Sequence, residues 1–212
     1  MSGEGVLRSV GLFPLPRLVL FPGALMPLHI FEPRYRALVH DSLAQSKLLC
    51  LANSNLALPS DAFGQPALEA VAGLGEIVRH EKLSDGRYNI LVLGKQRVRI
   101  VERPFTPPYR IADLQLLSDA PASVEQAQLQ ALVGVARSMM REVREAQPGF
   151  NFELPVEEDA SRLVDVCTHY LVADSEIRQQ LLETLDVQQR LQLCLDTLLE
   201  QRANPSSRNV TN

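Results

Sequence analysis

Four histidines (His29, His40, His80, His169) and three cysteines (Cys50, Cys167, Cys194) are the residues of this chain best suited to nucleophilic, acid–base or metal chemistry. Their spacing therefore comes first. Asp165, Cys167 and His169 are the right types for a zinc site. On a helix, however, residues two apart point about 200° away from each other. Neither HExxH nor paired-cysteine spacing occurs, so no metal is expected. The cysteines are odd in number, far apart and set in leucine-rich runs. They read as small core side chains rather than a disulfide frame or nucleophiles. No G-x-S-x-G is present, and no spacing suggests a Ser, His and Asp group. Glu157, Glu158 and Asp159 stand together just before a helical pattern, where the helix dipole explains them. His29 reads as a structural hydrogen-bonding residue. The residues thus predict no catalytic group and no cofactor.

A second candidate chemistry is nucleic-acid binding. Arg79, Lys82, Arg87, Lys95, Arg97, Arg99, Arg103 and Arg110 outnumber Glu81, Asp85 and Glu102 over one stretch. Binding single strands also needs aromatic platforms, and aromatics make up only 5% of the chain. The formal net charge is −4, whereas nucleic-acid binders usually carry a basic excess. These cations therefore read as the solvated face of a sheet. The charge is uneven: residues 1–117 hold 13 Lys and Arg against 10 Asp and Glu, and residues 118–212 hold 8 against 15. Two sub-domains with different surfaces are expected. No apolar run approaches the roughly 20 residues of a membrane span, and the N-terminus lacks the character of a signal peptide. A cytoplasmic protein is expected.

The elements that must position these residues divide by period. Residues 12–36 pack Pro14, Pro16, Pro22, Pro27 and Pro33 among large aliphatic side chains. Such a run can be neither a helix interior nor a set of central strands. It predicts short, kinked, extended pieces over 18–21 and 25–30. An amphipathic helix follows over about 33–45, its inward stripe made of Phe31, Tyr35, Leu38, Val39 and Leu43. A strand over 47–52 precedes a polar loop over 53–70. Residues 74–83 and 87–93 form a hairpin around Asp85-Gly86, a pair in which both residues tolerate positive φ. The second strand continues past a bulge or bend at Gly94, with Val98 and Ile100 inward and Arg97 and Arg99 outward. A last strand covers 109–117.

Helical periodicity takes over beyond residue 118. Ser123 with Gln126 predicts a capped long helix, followed by a loop over 148–155. Asp159, Asp174 and Asp186 open three further helices with apolar stripes. Short connections favour an antiparallel bundle.

Several runs carry a resemblance. Leu12-Phe-Pro-Leu15, Val19-Leu-Phe-Pro-Gly23, Pro27-Leu-His-Ile-Phe-Glu-Pro-Arg-Tyr35, Gly75-Glu-Ile77, Asp85-Gly-Arg-Tyr88 and Gly94-Lys-Gln-Arg97 occur in order. Arg178-Gln-Gln-Leu-Leu-Glu-Thr-Leu-Asp-Val-Gln-Gln-Arg-Leu191 follows. Over about residues 10–200 the chain resembles the N-terminal domain of the Lon protease family. The resemblance implies an α+β fold: a PUA-like β pseudo-barrel, here over 1–118, followed by a small helical bundle over 119–203; the polar composition of 204–212 predicts a flexible tail. The resemblance also implies substrate contact and not proteolysis. The G-x-x-x-x-G-K-[ST] phosphate loop of the ATPase module is absent, and Lys47, Lys82 and Lys95 all lie in the β half.

The expected function is therefore non-catalytic polypeptide binding, in an adaptor or quality-control role. The alternative is a small-molecule or RNA binder using the barrel. Expected partners are unfolded or hydrophobic polypeptide segments, with a protease or chaperone as a further partner. Neither nucleic acid nor membrane is expected, and the chain should be a monomer or weak dimer. Phe13, Leu18, Phe21, Leu25 and Met26, with Leu28, are candidates for an exposed apolar patch. Phe105, Tyr109 and the loop 53–70 are candidates for its rim.

Overall fold

The computed structural model describes residues 5–55, 57–61, 63–121, 123–146, 153–155 and 159–204. The predicted loop over 148–155, the tail over 204–212 and the carboxylates of Glu157 and Glu158 lie largely or wholly outside them. The chain splits into two compact units, Met1–Ser118 and Asp119–Asn212.

The first unit contains six strands and one helix: β1 (Val6–Leu15), β2 (Leu25–Ile30), α1 (Pro33–Ala44), β3 (Leu48–Asn53), β4 (Val71–Lys82), β5 (Tyr88–Glu102) and β6 (Ile111–Leu117). The sheet order is β2-β5-β4-β3-β1-β6, and β6 pairs back onto β5. Five strands therefore close into a ring, with β2 as a sixth strand outside it. One edge of β5 serves two partners. Residues 88–93 pair with β2 and residues 97–102 with β6. The register against β4 slips at Lys95, between the Gly75–Gly94 and Leu74–Gln96 pairs. A bulge there bends the strand from one partner to the other. The ring is filled by Val10, Leu12, Cys50, Ala52, Leu74, Val98 and Leu114 among others.

The proline-rich run does enter the ring, contrary to expectation. Pro14 lies within β1, opposite Ala52 of β3. β6 pairs only with residues 6–11 of β1, so the missing N–H falls where β1 has a single neighbour. Residues 18–21 form no strand. They lie on the sheet where it has no side chains: a Cβ on Gly73 would collide with the Leu20 carbonyl oxygen, and one on Gly94 with that of Phe21.

The hairpin turn also differs from its prediction. Only Gly86 takes positive φ, at 81°. Gly86 N–H donates to Leu83 O at 2.9 Å, and Leu83 N–H to Arg87 O at 2.8 Å. This is the bonding of a three-residue loop ending in a left-handed glycine. Asp85 contributes a side chain instead of a positive φ: Oδ1 accepts from Arg87 N–H and Oδ2 from Arg87 Nε. Pro33 opens α1 as foreseen, and Tyr35, Leu38 and Val39 face inward. Phe31 does not: it precedes the cap at Glu32 and is 61% exposed.

The second unit contains α2 (Gln126–Ala146), α3 (Ala160–Leu171), α4 (Ser175–Glu183) and α5 (Val187–Ala203). Asp159, Asp174 and Asp186 each accept a backbone N–H of the first turn that follows, as their positions predict. The capping box expected at Ser123 is absent, because α2 begins at Gln126 itself. The apolar stripes pack together through Leu132, Ala136, Leu163, Cys167, Leu182, Leu191 and Leu198. Arg190 is buried among them at 0% exposure. Its Nη1 donates to Asp119 Oδ1 at 2.9 Å and to Thr184 O at 2.8 Å, and its Nη2 donates to Ser161 Oγ at 2.6 Å. Asp165 Oδ1 lies 3.1 Å from Nε without hydrogen-bond alignment, so that contact is chiefly Coulombic. No described helix is long and apolar enough to cross a membrane.

Candidate functional site

The residues proposed for an apolar patch separate into core and surface. Phe13, Phe21 and Met26 are 5%, 0% and 8% exposed and belong to the core. Phe13 packs its ring 4.4 Å from that of Tyr35. Phe21 lies over Arg97 at 5.8 Å. Met26 points inward because strand alternation sends Leu25 and Pro27 outward. These three cannot line a surface. Leu18 is half-buried, and Leu25 is exposed. Phe105 and Tyr109 are half-buried and face a shared groove. Two aromatic residues were missed, Phe31 and Phe63, both exposed. Phe63 was legible as the one aromatic ring in the 53–70 loop. Phe31 was hidden by its chance fit to the helical stripe.

The first surface is the outer edge of β2. Among the described residues β2 pairs with β5 alone, so no second strand lies along its other edge. Pro27, opposite Leu91, has no N–H to give and suits a position whose backbone faces away from the ladder. By the alternation of an antiparallel pair, His29 turns its backbone N–H and C=O outward as well. Leu25, Pro27, His29 and Phe31 are all exposed along this edge. A chain of side chains holds it in place. Arg87 can only donate, so His29 Nε2, 3.3 Å from Arg87 Nη1, is the acceptor. Nδ1–H then donates to Asn89 Oδ1 at 2.7 Å, and Asn89 Nδ2 donates to Glu81 Oε2 at 3.1 Å. His29 thus makes the structural hydrogen bonds its setting suggested.

The second surface is a groove of about 80 Å³ walled by Pro14, Tyr35, Phe105 and Tyr109, with Arg34 and Arg110 among its lining residues. Tyr109 Oη donates to Asp41 Oδ2 at 2.6 Å, which ties the segment after β5 to α1. That bond, followed by one from His40, holds the Asp41 carboxyl below its ordinary range. Burial, reinforced by Asp41, pushes the Tyr109 phenol up to about 12. The Arg34 guanidinium lies 4.5 Å over the Tyr35 ring. Phe63 meets Phe105 at 5.4 Å beside the groove.

Half of the basic stretch is ion-paired. Arg87 pairs with Asp85, Lys95 with Glu76, Arg103 with Asp113 and Arg110 with Glu102. Arg97, expected on the solvated face, is 3% exposed. Its partner across the sheet is Gly73, and the 18–21 segment covers this region. All three thiols are buried. Burial raises Cys50 and Cys167 and pushes Cys194 up to about 12, which suits core residues and not nucleophiles.

The family described as "ATP-dependent protease La (LON) substrate-binding domain" matches residues 9–200. The chain belongs to this family. Lon protease 2 of Myxococcus xanthus is 28% identical over 95% of this chain and 25% of its own length. Lon protease 2 of Herpetosiphon aurantiacus is 31% identical over 84% of this chain and 22% of its own. The chain thus spans about a quarter of the length of these curated relatives. A crystal structure titled as a Lon N-terminal domain protein from Xanthomonas campestris aligns with a TM-score of 0.64 at 21% identity, covering 90% of this chain and 98% of that one. The N-terminal domain of Mycobacterium avium complex Lon protease gives the same TM-score at 20% identity. At those identities the likeness establishes the α+β fold, and the family match establishes a substrate-binding role.

Proposed function

We propose that this chain is a non-catalytic, cytoplasmic protein that binds unfolded or hydrophobic stretches of polypeptide, as an adaptor or quality-control factor. Family membership supports substrate binding, and the observation that carries the polypeptide reading is the edge of β2 that no second described strand covers. The outward backbone here offers the His29 N–H and the carbonyls of Pro27 and His29, which an extended chain can match by adding a strand. Leu25 and Phe31 lie beside that edge and are 42% and 61% exposed. Covering such a side chain contributes about 1.5 kcal/mol or more. The small-molecule alternative is less supported, because the ring is packed with side chains. The RNA alternative is less supported, because four of its eight cations are held in ion pairs and Arg97 is buried.

The test is binding of a reduced, carboxymethylated protein against its native form, read by fluorescence anisotropy. The unfolded form should bind preferentially, and replacing Leu25 and Phe31 together by serine should weaken it by about tenfold or more. Equal binding of folded and unfolded forms, or an unaffected double variant, would sink the proposal.

A further inference from the structure

We infer that the groove beside α1 takes the carboxyl terminus of a polypeptide whose last side chain is aliphatic. This rests on the polypeptide-binding reading above but on a different surface. Size comes first. A cavity of about 150 Å³ accommodates benzene, so the 80 Å³ here suits one aliphatic side chain and excludes a large aromatic one. The walls agree, since Pro14, Tyr35, Phe105 and Tyr109 present ring and methylene surface.

Charge then selects what accompanies that side chain. The lining includes two guanidinium groups, Arg34 and Arg110, and no carboxylate. Glu32, Glu102 and Asp41 bind Arg34, Arg110 and Tyr109 but do not line the groove. The two arginines have different duties. Arg110 is spent: Nε and Nη2 hold Glu102, Nη1 holds the Pro66 carbonyl, and its side chain is only 10% exposed. It is a fixed wall. Arg34 is 47% exposed, and Glu32 engages Nε and Nη2 but not Nη1. A surface pair of that exposure contributes little, so Arg34 can offer Nη1 to an incoming carboxylate at small cost. The Tyr35 ring beneath it keeps the guanidinium plane in place. The Tyr109 hydroxyl is already committed to Asp41; of the remaining polar lining groups, Arg34 and the Gln65 amide, only Arg34 is charged, so it recognises the terminal carboxylate.

The experiment uses the full chain and a short fluorescein-labelled glycine–serine peptide ending in leucine. Three forms are compared: the free acid, the C-terminal amide, and the same peptide extended beyond leucine by glycines. The free acid should bind about tenfold or more tighter than either other form, the scale of a charge-assisted hydrogen bond. The gap should shrink with added salt and close in Arg34→Gln, an exposed change that leaves the core intact. Equal binding by acid and amide, or no binding by any form, overturns the inference. So does N-acetyl-leucine competing as strongly as the peptide, since the groove would then read a small carboxylate. Preference for the unfolded protein, measured in parallel on the Leu25 and Phe31 double variant, reports the β2 edge separately. Failure at the groove and failure at the β2 edge are therefore told apart.

Discussion

In the first unit Arg97 is buried beneath the Phe21 ring, opposite Gly73, whose missing side chain lets Leu20 lie on the sheet. In the second, Arg190 is buried among Asp119, Ser161, Asp165 and the Thr184 carbonyl. The barrel unit makes room by omitting side chains, so a loop can lie flat on its sheet. The helical unit makes room by supplying acceptors from several elements, so a charge can sit in its core. The first solution is steric and should fail when atoms are added. The second is electrostatic and should fail when a partner is removed.

The largest expected effect follows from the second. Arg190→Ala would leave the Asp165 carboxylate, 1% exposed, without its cation, at a cost of about 3–5 kcal/mol. Urea unfolding followed by helical circular dichroism measures it. Replacing the pair together, Arg190→Met with Asp165→Leu, should recover much of the loss. A single variant as stable as the parent would mean that the network does not organise this unit.

A pair of glycine substitutions sharpens the contrast at intermediate size. Gly94→Ala drives a methyl group into the Phe21 carbonyl and should destabilise by about 1–3 kcal/mol or more. Gly134 of α2 has nothing within 4 Å of the position a Cβ would take, so Gly134→Ala should stabilise by roughly 0.5–1 kcal/mol. Thermal melting of both variants must give opposite signs if sterics govern the barrel alone.

The smallest effect is a pH dependence confined to the first unit. The folded Asp41 carboxyl titrates below its ordinary 3.8, so its contribution is present above that value and fades as pH falls through the lower folded value. The folded Tyr109 phenol lies near 12 against an ordinary 10. Its contribution is complete below 10 and disappears as pH rises toward 12. Tyr109→Phe should flatten both limbs of a stability–pH profile, by about 1 kcal/mol or less. An unchanged acid limb would show that the Tyr109–Asp41 bond does not contribute.

Much of this architecture was legible because it is local. Asp159, Asp174 and Asp186 announce their helices within one turn, and Pro33 marks the start of α1. Gly86 fixes the hairpin, although only one of the two turn residues needed positive φ. What stayed hidden depends on distant chain. Arg190 reads as one more charge on an amphipathic helix, and Asp119, 71 residues earlier, gives no sign that it will meet it. Arg97 alternates correctly with Val98, yet the loop over Gly73 turns a nominally wet face into a covered one. The same fold-back removes Phe21 from the surface, while Tyr35 covers Phe13 and strand alternation turns Met26 inward, leaving Leu25 as the clearly exposed apolar member of that patch. Phe105 and Tyr109 were suggested by type, but the groove they share with Arg34 depends on α1 and the barrel meeting, which no local pattern encodes.

The placement of the three thiols gives each unit its own clock. Cys50 sits inside the ring, and Cys167 and Cys194 sit in the helical core, all shielded from solvent. Alkylation can reach Cys50 only when the barrel opens and the other two only when the bundle does. A single labelling time course, resolved by peptide mass, would read two opening rates from one unmodified molecule.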